Sequence, residues 1–86
     1  MFIVETSRGT RAGLPDAQWF GGKFSSTLAQ ARVDLAEVFA DKLYAEDRGE
    51  EYEHEWHALA ERAKDADVGE ALSFDEFAAR IVEETN

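Results

Sequence analysis

The sequence predicts an α+β fold: a short N-terminal antiparallel β-sheet of two or three strands, followed by three amphipathic α-helices. Three observations carry this. Residues 1–25 hold two β-rich stretches around a loop that contains the only proline. From residue 26 onward, apolar side chains recur at three- and four-residue spacings. At 86 residues and 44% hydrophobic, the chain is one small domain with a modest core, and too apolar to be disordered.

The elements follow in order. Residues 2–6, FIVET, read as a strand, and residues 7–16, SRGTRAGLPD, as a loop. Residues 17–25, AQWFGGKFS, read either as one strand bulged at Gly21-Gly22 or as two short strands around a Gly-Gly turn. Either form pairs with FIVET. Two strands alone are marginal, so helices must cover one face.

Helix 1 is expected to start near Ser26 or Thr27, where Thr27 and Gln30 make a capping-box pattern, and to end near Asp47 with Gly49 in the cap region. Its apolar stripe is Leu28, Ala31, Leu35, Val38, Phe39 and Leu43. Helix 2 is expected from about Glu50 to Ala66, burying Tyr52, Trp56, Leu59, Ala60 and Ala63, with a turn over 67–72. Helix 3 is expected to open on Leu72-Ser73-Phe74-Asp75-Glu76-Phe77. Ser73 and Glu76 fit a capping box there, and Leu72 and Phe77 a hydrophobic staple. Residues 1–25 thus form the sheet and loop of a single acidic domain, and 26–86 its helical part.

Composition removes several functions. There is no cysteine, hence no disulfide, thiolate zinc site or thiol nucleophile. The leading apolar run stops at Glu5, too short for a signal peptide or a spanning helix, so a cytoplasmic protein is expected. Residues 1–32 carry four Lys/Arg against two Asp/Glu, and residues 33–86 five against seventeen, so net +2 and −12 make up the total of −10. That sign opposes direct binding to nucleic acid or to anionic membrane.

Residues 46–57, EDRGEEYEHEWH, crowd six carboxylates and two histidines together. On a helix they separate. Tyr52 and Trp56 share the apolar side, while Glu50, His54, His57 and Glu61 lie opposite. His54 and His57 are candidate metal ligands, and Glu51-x-x-His54 has di-iron spacing. Such bundles need two of these motifs pointing inward, and HEWH is not H-E-x-x-H, so neither a resident metal nor a cofactor is expected. No nucleophile elbow, phosphate loop or EF-hand series is present, and no enzyme is expected.

A second acidic stripe is Asp34, Glu37 and Asp41 on helix 1, expected to face away from Leu28, Leu35 and Phe39. Glu46 and Asp47 oppose the helix 1 dipole, while Glu50, Glu51, Glu53 and Glu55 open helix 2. These nine carboxylates are the candidate partner-binding surface, at the tip and along the sides of a helical hairpin. Arg8, Arg11, Trp19 and Lys23, with Phe20, form a candidate secondary basic-aromatic surface.

In charge and length the chain resembles small phage- or plasmid-encoded inhibitors of host defence, such as anti-CRISPR proteins and other DNA mimics. The resemblance implies occupation of a basic site on a nucleic-acid-handling complex. The reading is therefore a non-enzymatic protein-interaction module whose acidic helical surface meets the basic surface of a larger protein or nucleoprotein complex. The alternative is a structural or assembly protein, either a phage particle component or a homo-oligomer.

Overall fold

A computed structural model describes residues 1–12, 14, 16–45 and 52–84, with the side chains of 42–45 outside that description. Strand β1 is Phe2–Arg8 and β2 is Phe20–Ser25. Helix α1 is Leu28–Ala45 and α2 is Glu53–Ala63. Strand β3 is Leu72–Phe74 and β4 is Phe77–Glu83. The strands form one antiparallel sheet in the order β2-β1-β4-β3.

This corrects the expected layout. The sheet has four strands rather than two or three, and the described residues hold two helices rather than three. The segment expected to be helix 3 is the β3–β4 hairpin. Its apolar residues fit either period: Phe74, Phe77, Ala78 and Ile81 at helical spacing, or Leu72, Phe74 and then Phe77, Ala79, Ile81 at alternate positions. Two features favour the strand. Asp75 takes φ +58°, as the first residue of a primed two-residue hairpin turn does, with Phe74 opposite Phe77. β1 also offers a long edge, and β4 pairs along all seven of its residues, from Phe2↔Glu83 to Arg8↔Phe77. The would-be cap, Ser73, instead sits in the ladder opposite Ala78.

Helix α1 begins as expected. Thr27 Oγ1 accepts from the Gln30 backbone N–H at 3.1 Å. Gln30 does not return the bond; its side chain turns down the helix to Asp34. The two helices run antiparallel, since Arg32 near the start of α1 donates to the Ala66 carbonyl beyond α2 at 3.0 Å, while Phe39 stacks on Trp56. Both cover one face of the sheet. The core joins Val4, Phe77, Ala79, Ile81 and Leu72 from the strands to Ala31, Leu35, Phe39, Trp56 and Ala63 from the helices. Trp56 is its aromatic hub, with Phe74 at 5.0 Å and Phe77 at 6.4 Å. Tyr52 just before α2, and Leu59 and Ala60 within it, are half-buried against the core. The expected Leu43 contact lies outside the described side chains.

The opposite face is covered differently. Glu5 and Arg80 are cross-strand partners there, and Arg80 Nε and Nη2 both meet Glu5 Oε1 at 2.9 Å. The loop between β1 and β2 brings Trp19 against this pair, with Arg80 Cζ 4.0 Å from its ring centre. Ile3, Ser7 and Ala78 are buried on the same side.

Candidate functional site

The Gly21-Gly22 ambiguity resolves to one bulged strand. Phe24 lies opposite Ile3 and Gly21 opposite Glu5, so Gly22 and Lys23 together oppose Val4. A Cβ on Gly22 would stand 3.0 Å from the Val4 carbonyl oxygen, so the bulge needs a glycine there. The bulge also re-aims Lys23. It points toward α1, with Nζ 3.4 Å from Asp34 Oδ1.

A cleft of about 270 Å³ opens between these strands and α1. Val4 and Thr6 come from β1, Gly22 and Lys23 from β2, and Asp34, Glu37, Val38 and Asp41 from α1. Three of the nine expected surface carboxylates therefore share one cleft with a single cation. Glu37 and Asp41 are exposed, as expected, and neither has an ion pair among the described residues.

Asp34 departs from the expectation. It is buried, at 3% exposure, rather than part of a solvated stripe. Its Oδ1 accepts from Gln30 Nε2 at 3.0 Å and meets Lys23. Its Oδ2 is buried with no hydrogen-bond partner among the described residues. The physical reason is the position of β2 beside α1. The helical wheel sets Asp34 roughly 60° from Ala31, on the flank of the apolar stripe rather than its back. The edge strand then closes over that flank.

The other expected surface residues fall elsewhere. Glu53 and His57 are exposed on α2 and pair at 3.6 Å, Glu55 is half-buried, and His54 is exposed. The expected wet face of α2 is therefore present. Among the described residues no three His, Cys, Asp or Glu side chains are placed to hold a metal ion. Glu46, Asp47, Glu50 and Glu51 lie outside the described residues.

The basic-aromatic group is dispersed. Arg8 lies over the Phe77 ring at 5.5 Å, and Arg11 pairs with Asp16 at 2.6 Å. Trp19 packs under Arg80 on the far face, and Lys23 belongs to the acidic cleft. Phe20 is exposed on β2.

No family model, curated protein or solved structure matches the chain. The cleft is thus read from its own chemistry. Sequence reasoning missed Val4, Thr6, Gly22 and Val38 as parts of it, and Gln30 as the partner of Asp34. The available signals were the i,i+4 pair Gln30–Asp34 and the Gly21-Gly22 pair that permits a bulge. Among the described residues no helix is long and apolar enough to cross a membrane.

Proposed function

We propose that the chain is a non-enzymatic, cytoplasmic interaction module. Its acidic helical surface occupies a basic site on a larger protein, in the manner of an inhibitor of a nucleic-acid-handling or defence complex. The observation that supports this reading is the α1 flank, where Asp34, Glu37 and Asp41 face one lysine across an open cleft. A surplus of negative charge along a rigid helix attracts a basic groove and speeds encounter. The net charge of −10 makes phosphate backbones and anionic headgroups poor partners.

Capture of the partner from a host lysate at low and high salt tests this. Binding should weaken strongly with salt, and the Glu37→Gln/Asp41→Asn double variant should weaken it further at low salt. Capture that is indifferent to salt and to both substitutions refutes the acidic-surface mechanism.

A second reading, assembly into an oligomer or particle, has its own support. The outermost strand β2 exposes Phe20 and Phe24, at 55% and 56%, along an edge with no neighbouring strand among the described residues. Light scattering separates the two. A closed oligomer at micromolar concentration favours assembly, and a monomer favours the inhibitor.

A further inference from the structure

We propose that the cleft between β2 and α1 receives the guanidinium of an arginine side chain from a basic protein partner, displacing Lys23 from Asp34. This rests on the acidic flank being a contact surface, and names the group that its deepest point recognises.

The argument starts from an under-satisfied carboxylate. An ionised aspartate can accept about four hydrogen bonds. Asp34 is engaged only at Oδ1, by Gln30 at 3.0 Å and Lys23 at 3.4 Å, and Oδ2 is buried without a partner among the described residues. The Lys23 contact is longer than the roughly 2.7–2.9 Å of a good charge-assisted bond. Its side chain is 65% exposed, so it can swing into water with little loss of packing. Lys23 is thus a loose occupant of a site made for a cation.

The cleft favours an arginine over other cations. Its three carboxylates lie at i, i+3 and i+7 along α1 and do not converge as metal ligands do. A planar fork with five N–H donors can meet the Asp34 carboxylate and still reach toward Glu37, which an ammonium cannot do in one geometry. Val4 and Val38 give apolar walls for the aliphatic stem, and Thr6 adds a hydroxyl. At about 270 Å³ the space lies below the roughly 300–1,000 Å³ usual for small-molecule sites, and suits one inserted side chain.

The test is a titration of the full chain, followed by amide chemical shifts, with tetra-arginine, tetra-lysine and neutral tetra-citrulline peptides. The arginine peptide should shift the Gly22, Lys23 and Asp34 amides and bind several-fold tighter than the lysine peptide. Citrulline should not bind. Asp34→Asn should weaken the arginine peptide about tenfold, and Glu37→Gln about two- to threefold. Lys23→Gln removes the competitor, so it should tighten binding more than the charge-matched Lys64→Gln at the C-terminal end of α2. Val38→Leu keeps every charge and fills the cleft. It should also weaken binding, and it serves if Asp34→Asn does not fold. Equal affinity for lysine and arginine peptides overturns the guanidinium assignment. Salt-sensitive binding that maps to α2 and ignores Val38→Leu and Lys23→Gln overturns the cleft and leaves the acidic-surface reading standing. No salt-sensitive binding of any basic peptide overturns both.

Discussion

Two aromatic residues carry opposite lessons about burial. Phe39 is fully buried, edge-on to Phe77 at 5.8 Å and stacked on Trp56 at 6.5 Å. Phe39→Ala removes a ring from a close-packed cluster and should cost about 3–5 kcal/mol. That is a large share of the roughly 5–15 kcal/mol that holds such a domain together, so urea unfolding should show a much lower midpoint. Trp56 is just as central, yet its indole N–H is buried with no acceptor among the described residues. Leaving such a donor dry costs about 1–3 kcal/mol. Trp56→Phe relieves that cost and leaves a smaller ring, so the two effects largely offset and the net change should stay within about 1–2 kcal/mol. Trp56→Ala should lose about 3–5 kcal/mol. Urea titrations of both variants read the difference directly. A loss for Trp56→Phe well above about 2 kcal/mol would mean that the buried N–H carries no penalty for the substitution to relieve.

Turns and caps decide the elements. Asp75 sits at φ +58°, where a Cβ is strained and glycine is not. Asp75→Gly should therefore stabilise the β3–β4 hairpin by up to about 1 kcal/mol, and a β-branched Asp75→Val should destabilise it by a similar amount or more. Thr27→Ala deletes the acceptor at the start of α1 and should cost about 1 kcal/mol in thermal unfolding. These two sites also show what the sequence could and could not reveal. Thr27 with Gln30 announces a helix start, and the local signal is correct because nothing distant competes with it. Leu72-Ser73-Phe74-Asp75-Glu76-Phe77 announces another in the same language. There the competitor is β1, whose long edge takes residues 77–83 as a strand, and no local pattern records that an edge is waiting. The cleft follows the same rule. Glu37 and Asp41 were legible from helical arithmetic. The burial of Asp34 was not, because it depends on where β2 comes to lie. The turn of Lys23 depends on a bulge whose position only the pairing with Ile3 and Glu5 fixes.

At the scale of the molecule, the fold leaves its charge unbalanced. A net charge of −10 is carried by a body of 41 × 26 × 18 Å. The exposed ion pairs, such as Arg11–Asp16 and Lys64–Glu61, are each worth little. Self-repulsion across the whole surface should outweigh them. Raising salt from about 0.01 M to 1 M shortens the screening length from about 30 Å to 3 Å. The melting temperature should therefore rise with sodium chloride, as followed by circular dichroism. A falling melting temperature would show that the surface pairs, not the repulsion, dominate. The same screening should weaken binding to the proposed basic partner, so stability and affinity should respond to salt in opposite directions.

The central pair of the sheet has a consequence for how the protein is born. Glu5 and Arg80 are 75 residues apart in sequence and directly opposed in space. A ribosome makes β1 first, then β2 and both helices, and β4 only afterwards. Until β4 is made, the edge of β1 that it covers in the finished sheet has no partner strand. Closing so long a loop is slow relative to local helix formation. The nascent chain therefore passes through a stage in which its innermost strand is its most adhesive edge.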